Sequence, residues 1–331
     1  MQIGIIGCGL IGKKRANSIG KNHKIKIVSD LNLQNAKDIA DLHGSLVTAD
    51  WRDVVNSGVD LIIVATPHNI LASIALECVK RGKHVLLEKP AAVNATELEE
   101  VIKVSEKNNC LVKVGFNHRF HPALQKAYEI FKNGEIGELM FIRGRYGHGG
   151  RIGYEKEWRC QKEISGGGEI IDQGSHLIDL SRWFLGDLKL DYSNIPTYFW
   201  NVEVDDNCFL ALKSESNQMA WLHTTWTEWK NCFSFEIYGR SGKIQIEGLG
   251  GSYGVEKLVF YKMDMEKMGP PQATNWEFDG PDLSWQLEFV EFEKAIEESR
   301  QPIGNVYDAF EMMKIIDKAN DTRYTQSDSK H

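Results

Sequence analysis

Two hydrophobic periods alternate along the first 120 residues of the chain. Short β-branched runs predict five buried parallel strands, which are IGIIG, KIKIVSD, DLIIVATP, HVLLEKP and LVKVGF in chain order. Helical patterns lie between these runs, and several end at Gly or Asn, as helix C-termini do. Because strand alternates with helix five times, we expect a doubly wound parallel sheet with right-handed crossovers.

The pattern changes beyond this segment. A helix, PALQKAYEIFKNG, precedes a strand, ELMFIRGRYG, and the stretch from Tyr198 to Tyr261 is rich in aromatic and β-branched residues. The sequence RSGK, Arg240 to Lys243, predicts a hairpin turn, and two helical segments follow near the end of the chain. This order predicts a second, α+β domain built on an antiparallel sheet.

Length and charge limit the class of protein. A chain of 331 residues is long for one core, so we expect two domains, at 1–120 and 121–331. A net charge of −7 without a long basic run argues against nucleic acid, and no apolar stretch reaches the roughly 20 residues of a membrane span. The opening MQIGIIG lacks signal-peptide features, and six widely spaced cysteines predict free thiols, so we expect a cytoplasmic protein.

The sequence GIIGCGLIG follows the first strand and begins a helix. Its glycines allow a tight turn, close approach of the backbone to a pyrophosphate, and close packing of helix on strand. The helix N-terminus supplies N–H groups to the phosphates, and the carboxylate at the end of the next strand accepts hydrogen bonds from a ribose diol. The residues predicted to bind a dinucleotide here are Gly7, Gly9, Leu10, Ile11, Gly12 and Asp30.

The same letters nearly match a nucleoside-triphosphate P-loop. That motif requires a Ser or Thr hydroxyl for magnesium, and Lys14 stands at its place. Asp30 favours the dinucleotide and also repels a 2′-phosphate, while the following Leu31 and Asn32 offer no arginine to receive one. We therefore expect NAD in preference to NADP.

A second glycine-rich stretch, ISGGGEIIDQGSHLIDL, places an acid and a histidine four residues apart. On one helix, Asp172 and His176 would share a face. Histidine suits the removal of a hydroxyl proton because its unperturbed pKa lies near the working pH. Glycines 166–168 would allow substrate and cofactor to approach the backbone. An Asp/His pair at this spacing is by itself more often a solvated helix face.

Four motifs in order resemble the glucose–fructose oxidoreductase, inositol dehydrogenase and MocA superfamily of oxidoreductases. They are GIIGCGLIG, VATP, GKHVLLEKP and GGGEIIDQGSH, and the resemblance spans at least residues 1–186. The remaining third is similar only in general character, as a large open sheet followed by closing helices. The resemblance implies a small-molecule substrate and a homodimer or homotetramer formed through the C-terminal sheet.

The resemblance also implies roles for individual residues. Lys89, in a Glu-Lys-Pro motif that ends the fifth strand of such enzymes, would lie beside the nicotinamide and hydrogen-bond the reacting oxygen. A lysine at the carboxyl end of a parallel strand also lies where such sheets bind ligands. His176 would be the general base, and Asp172 would orient it or bind substrate hydroxyls. Further cofactor contacts implied by these motifs are Thr66, Pro67, Glu88, Lys89 and Asn117.

Other polar residues near these motifs are substrate candidates. Arg119 follows the predicted strand LVKVGF, where it would bind an anionic group or form a salt bridge between domains. The stretch YGHGGRIGYEKEWR offers contacts for a sugar ring or a diphosphate. With Lys89, Asp172 and His176, the predicted substrate residues are Arg119, His148, Arg151, Tyr154, Trp158 and Arg159. One departure is Leu71, which stands where relatives often carry histidine.

Two other groups of residues favour structural roles. His118 and His121, with His148 and Cys160 elsewhere, lack the spacing of a closed metal site, so we expect no metal. The tryptophans of the aromatic stretch favour packing in the core or at a subunit interface over ligand stacking, and they are Trp221, Trp226 and Trp229.

The sequence thus predicts an NAD(H)-dependent oxidoreductase that acts on a secondary hydroxyl of a sugar, cyclitol or nucleotide-linked sugar. Two alternatives remain open. An NAD-dependent glycosidase would oxidise C3 transiently, eliminate the aglycone and regenerate its cofactor. A cofactor-binding redox sensor would turn over nothing, although it would need no Lys89/Asp172/His176 set.

Overall fold

The computed structural model describes residues 1–264, 266 and 269–327, with side chains up to residue 322. Its residues divide into two compact units, neither of which is continuous in sequence. The first contains Met1–Asn117, Glu163–Gly166 and Trp285–Met313, and the second contains His118–Lys162, Gly167–Ser284 and the residues from Lys314 onward.

The first unit contains a six-stranded sheet in the order β3-β2-β1-β4-β5-β6, and every neighbouring pair is parallel. The strands are β1 Gln2–Ile6, β2 Lys24–Ser29, β3 Leu46–Thr48, β4 Leu61–Val64, β5 His84–Leu87 and β6 Val112–Val114. The helices between them are α1 Leu10–Ser18, α2 Leu33–His43, α3 Trp51–Asn56, α4 Leu71–Lys80 and α5 Thr96–Lys107. This strand order confirms the doubly wound prediction.

Strand β3 was not predicted. It is three residues long, lies at the edge of the sheet and leaves Leu46 64% exposed, so it carries no run of buried β-branched residues. A strand this short gives too little pattern for sequence analysis to detect.

The first of the two closing helices completes the core of the first unit. Helix α10, Ser284–Glu297, buries Phe289 and Phe292 in the same cluster as Ile3 and Ile5 of β1. The sequence had placed this segment in the second domain. An apolar helix face indicates burial but does not indicate which sheet will cover it. The last helix, α11, extends over Val306–Ser327.

The second unit contains an eight-stranded sheet in the order β14-β13-β12-β11-β7-β10-β9-β8. All neighbours are antiparallel except β7 and β10, which confirms the mostly antiparallel prediction. Its strands are β7 Leu139–Gly147, β8 Lys189–Asn194, β9 Asn207–Lys213, β10 Met219–Thr225, β11 Cys232–Gly239, β12 Gly242–Glu247, β13 Glu256–Lys262 and β14 Gln272–Phe278. Its helices include α6 Pro122–Lys132, α8 Glu169–Asp172 and α9 Gly174–Leu185. The short helix α7, Lys162–Ser165, belongs to the first unit from Glu163 onward.

Local details of this unit agree with the sequence in part. The RSGK turn joins β11 to β12, with Gly239 paired to Gly242. The edge strands β8 and β14 were not predicted, because most of their side chains are exposed or half-buried and show no apolar alternation. The sequence also predicts a frayed polar tail after Tyr324, and residues 328–331 of this tail lie outside the described residues.

All six cysteines are free, and five of them are buried. This agrees with the expectation of free thiols. Among the described residues, no helix has both the length and the apolar character needed to cross a membrane.

Candidate active site

The turn after β1 has the geometry that the glycine motif predicts. Gly7 has a φ of +89°, and a Cβ there would lie 2.4 Å from the Ala65 carbonyl oxygen. At Gly12 a Cβ would lie 1.9 Å from the oxygen of Gly7, so helix and turn require glycine at both positions. A Cβ built on Gly9 would meet no described heavy atom within 4 Å outside its chain neighbours, so this side of the turn is open.

Helix α1 begins directly after this opening. Its N-cap residue is Gly9. Because glycine has no side chain, the first N–H groups of the helix have no side-chain cap. Open space beside uncapped N–H groups at a helix start fits a pyrophosphate. The residues of the turn therefore fit the phosphates of a dinucleotide.

The carboxylate of Asp30 is fixed at the end of β2. One of its oxygens accepts a hydrogen bond from the N–H of Cys8 at 2.7 Å, and the other accepts from the N–H of Asn32 at 2.7 Å. Each oxygen keeps acceptor capacity, so the group fits a ribose diol. Leu31, beside it, is 91% exposed.

The end of β4 carries the Thr-Pro pair of the VATP motif. The Thr66 hydroxyl oxygen is buried and has no hydrogen-bond partner among the described residues, which marks it as a group that a ligand would satisfy. His68 follows Pro67, is buried, and places its Nδ1 2.8 Å from the carbonyl oxygen of Ser165. His68 is not among the residues predicted from the sequence, although its place after the motif is a signal.

The Glu-Lys-Pro motif after β5 combines an ion pair with a cis peptide bond. The Glu88 carboxylate lies 2.5 Å from Arg15 Nε, and Arg15 also lies 2.5 Å from Glu288 of α10. Burial raises the pKa of Glu88 in spite of the Arg15 charge. The bond between Lys89 and Pro90 is cis. Glu88, predicted as a cofactor contact, thus has a buried ion-pair partner on α1.

In the second unit, the helix expected to carry the acid and the histidine is interrupted. Helix α8 ends at Asp172, and α9 begins at Gly174. The Asp172 carbonyl oxygen accepts a hydrogen bond from the Ser175 hydroxyl at 2.9 Å, while the N–H of His176 donates to Gln173 at 3.1 Å. The expected single helix is therefore two, because Ser175 takes the acceptor that a continuous helix would use.

The start of α8 is held by an acid that sequence analysis missed. Asp205 is fully buried, and its carboxylate accepts hydrogen bonds from the N–H groups of Gly168 and Ile170 at 2.9 and 2.8 Å. A Cβ on Gly168 would lie 1.9 Å from the Asp205 carbonyl oxygen. Gly168 is therefore required by protein packing, whereas the sequence had assigned this glycine to approach of the ligands. Asp205 lies 33 residues after Asp172, so no local pattern connects them.

His176 is buried and stacks on a second histidine. Its ring centroid lies 3.6 Å from that of His118, with an interplanar angle of 14°. His118 Nε2 lies 3.2 Å from the Tyr146 hydroxyl. Tyr253 packs edge-on against Tyr146 and accepts a hydrogen bond from Gln173 at 2.9 Å. Sequence analysis considered His118 only as a metal ligand and did not identify either tyrosine.

The loop predicted to contact substrate has exposed and buried members. Arg151 is exposed and lies 2.5 Å from Glu157, whereas Tyr154 is 2% exposed. Tyr154 packs edge-on against Trp226 in a small core, so it supports the loop from within. Arg159 is stacked on the Trp158 ring, with 4.6 Å between guanidinium carbon and centroid.

Arg159 adjoins Asp172, which also acts electrostatically on His148. The Arg159 Nε lies 3.7 Å from an Asp172 carboxylate oxygen. His148 Nδ1 accepts a hydrogen bond from the N–H of Gly150 at 2.9 Å, which leaves the proton of a neutral ring on Nε2. Burial lowers the pKa of His148, against the opposing effect of Asp172. The guanidinium of Arg159 thus lies beside this acid, whose charge also acts on His148.

The residues after β6 begin a 3₁₀ turn, Asn117–Phe120, in which Asn117 is buried. Arg119 is also buried, and its guanidinium binds both carboxylate oxygens of Asp179 at 2.9 and 2.6 Å. Of the two alternatives for Arg119, the structure shows a salt bridge, and this bridge lies within the second unit. The Arg119 guanidinium therefore forms a bidentate salt bridge with Asp179.

The three tryptophans of the aromatic stretch and His121 are further side chains considered in the sequence. Trp226 is fully buried, whereas Trp221 and Trp229 are 50% and 64% exposed. His121 pairs with Glu256 at 2.7 Å. No cluster of three or more metal-ligating side chains occurs in the part of the chain that the structure describes.

Comparison with known proteins gives the family. A model described as "Oxidoreductase family, NAD-binding Rossmann fold" matches residues 1–116, and one described as "GFO/IDH/MocA C-terminal domain" matches residues 124–245. An uncharacterized oxidoreductase, YrbE, of Bacillus subtilis is 32% identical over 75% of this chain and 72% of its own length. Levoglucosan dehydrogenase of Pseudarthrobacter phenanthrenivorans is 24% identical over 74% of this chain and 73% of its own.

Solved structures show the same fold. A levoglucosan dehydrogenase in complex with NADH and levoglucosan superposes with a TM-score of 0.86 at 22% identity, covering 97% of both chains. The glycine turn, the uncapped start of α1 and the Asp30 carboxylate agree with the NAD-binding description of the first matched model. The chain therefore belongs to the GFO/IDH/MocA family of oxidoreductases, and its first domain is an NAD-binding Rossmann domain.

Proposed function

We propose that the protein is an NAD(H)-dependent dehydrogenase that acts on a secondary hydroxyl of a sugar, cyclitol or nucleotide-linked sugar. The observation that carries the proposal is the buried imidazole of His176 in the first turn of α9, four residues after the acid Asp172. A buried histidine in this position is suited to proton transfer and would have no use in a protein that only senses its cofactor.

In the proposed reaction, His176 accepts the hydroxyl proton as the substrate carbon is oxidised. Asp172 binds neighbouring hydroxyls or orients His176, and Arg159, 3.7 Å away, keeps the carboxylate in place. Lys89 hydrogen-bonds the reacting oxygen. Bound NAD supplies the hydride acceptor, held by the turn at Gly9 and by Asp30. NADP is disfavoured because the Asp30 carboxylate repels a 2′-phosphate.

The substrate class rests on relatives and on the loop after β7. The relatives include levoglucosan dehydrogenase and an inositol 2-dehydrogenase of Rubrobacter xylanophilus, which is 29% identical over 56% of this chain. Arg151 is exposed in the loop, and Arg159 is one-third exposed on the Trp158 ring. Exposed guanidinium groups beside an aromatic ring favour a polyhydroxylated substrate with room for a charged substituent.

Absorbance at 340 nm tests the proposal, with NAD and a panel of polyols, aldoses, inositols and UDP-sugars. A sustained rise with one class is the expected result. No rise with any of them, in protein shown to bind NAD, would contradict dehydrogenase activity on these substrates. If aryl glycosides were cleaved without net NADH formation, the glycosidase alternative would replace the proposal.

We also propose that the protein assembles through the outer face of the eight-stranded sheet. This face carries stacked aromatic pairs, Tyr192 on Trp221 and Phe141 on Tyr238, and Trp221 is half exposed. An exposed aromatic sheet face fits a second copy of the same chain. Light scattering should show a dimer or tetramer that Trp221→Arg weakens, whereas a monomeric wild type would contradict the interface.

A further inference from the structure

The ring stacked on His176 belongs to another titratable residue. His118 is 6% exposed and His176 is 5% exposed, and their rings are nearly parallel at 3.6 Å. One face of the His176 ring is therefore covered, which restricts rotation of the ring and leaves its edge for hydrogen bonds. A buried ring packed in this way holds its orientation better than one surrounded by solvent.

His118 is itself fixed by its surroundings. Its Nε2 lies 3.2 Å from the Tyr146 hydroxyl on β7, and its ring makes edge contacts with Phe233 of β11 and with His121. Burial raises the pKa of Tyr146 well above its usual value, so this hydroxyl stays neutral. His118 is thus held by residues of β7 and β11 and by His121, three residues further along the chain.

The charged groups around the pair come from several elements. Glu256 of β13 binds His121 at 2.7 Å and accepts N–H hydrogen bonds from Ala123 and Gly250. Glu169 and Asp172 of α8 act electrostatically on Tyr146 and on Tyr253 of the neighbouring loop. Arg119 and Asp179, which flank the pair in sequence, neutralise one another.

Two imidazolium rings at this separation would repel strongly, since both are buried away from water. The stacked rings therefore accept a first proton much more readily than a second. When His176 takes the hydroxyl proton of a substrate, it becomes an imidazolium, and this is favourable only if His118 is uncharged.

We propose that His118 is a positioning residue for His176, which fixes its ring plane by stacking and shares with it a single proton, so that His176 accepts the substrate proton only while His118 is neutral. The statement about the substrate proton rests on the proposed function. The statement about the stacked pair rests only on the geometry of the second unit.

Histidine-selective NMR titration of the full chain tests the stacked pair without any substrate. In the wild type, the titration steps of His118 and His176 should be separated by more than about 2 pH units. In His118→Phe, His176 should titrate in a single step. A separation below about 1 pH unit in the wild type would overturn the proposal.

The matched control is His223→Phe. His223 also stacks on an aromatic ring, that of Phe209, with centroids 4.2 Å apart, and this second stack joins strands β9 and β10. This control should leave the wild-type separation unchanged. If it removed the separation as well, the titration would be reporting a general change of the unit, and the proposal would be wrong.

Kinetics with a substrate identified at 340 nm test the positioning role. His118→Ala should lower kcat by about 10–100-fold with an unchanged KM for NAD, and His118→Phe should restore most of this loss because it keeps a stacked ring. Equal activity of the Ala and Phe variants would overturn the role. A separated titration in a protein whose His176→Ala variant keeps full turnover would refute the proposed general base but leave the stacked pair intact.

Discussion

The Asp30 carboxylate accepts a hydrogen bond from the N–H of Cys8, which lies inside the glycine turn, at 2.7 Å. The carboxylate expected to bind the ribose is therefore hydrogen-bonded to the turn expected to bind the phosphates. One hydrogen bond between the residues that follow β1 and β2 therefore joins the positions expected for two parts of one dinucleotide.

Asp30→Ala should weaken NAD binding by about 10–100-fold, because it removes charge-assisted hydrogen bonds to the ribose diol. NADP binding should be affected less, since the same change removes repulsion of a 2′-phosphate. Fluorescence titration with both cofactors measures this. Asp38→Ala, which removes an exposed partner of Lys13 on α2, is the control. Equal losses for NAD and NADP would refute the ribose assignment.

The ion pairs of Arg15 predict a large effect on stability. Arg15 and Glu288 are both fully buried, so Glu288→Gln leaves a buried guanidinium with one carboxylate partner in place of two. We expect Glu288→Gln to lower the free energy of unfolding, as measured by urea denaturation, by about 3–5 kcal/mol. Glu215→Gln, in an exposed pair with Lys189, should cost less than about 1 kcal/mol. Similar losses in the two variants would contradict the account of the buried pair.

Asp206 predicts a dependence of stability on pH. Burial would raise the pKa of Asp206, but N–H donors of Tyr198, Trp200 and Phe199 outweigh burial and lower the pKa. A carboxyl whose pKa is lowered by folding stabilises the protein above its unfolded pKa, about 3.9, and this contribution is lost as pH falls through the lower folded value.

Asp206→Asn should therefore reduce the free energy of unfolding by about 1–3 kcal/mol at pH 7, and by less at pH 3. Urea denaturation at the two pH values measures the difference, with the exposed Asp191→Asn as control. A loss of the same size at both pH values would show that the Asp206 charge is not responsible.

What could be predicted from the sequence was local. Gly7, Gly12 and Asp30 belong to one strand–turn–helix–strand pattern, and the structure gives each the geometry that the pattern requires. The residues that hold these functional segments in place could not be predicted, because they are distant in the sequence. Arg15 and Glu288 are 273 residues apart, and Asp205 holds the start of α8 from a distant part of the chain. Periodicity carries no information about such pairs.

The substrate loop shows a second limit. Tyr154 has the residue type and sequence position of a sugar contact, but it is buried against Trp226. An aromatic residue in a polar loop can pack inward or face a ligand, and the neighbouring letters do not distinguish the two. The sequence suggests His118 only as a metal ligand, because the ring that stacks on it, that of His176, comes from a distant part of the chain.

The most direct test of the central claim is NADH formation by wild type and His176→Ala, both saturated with NAD and supplied with the same substrate. The account predicts that the variant binds NAD with unchanged affinity and loses about 10²–10⁴-fold in kcat, because only the proton acceptor is removed. Equal turnover by the two proteins would contradict His176 as the general base.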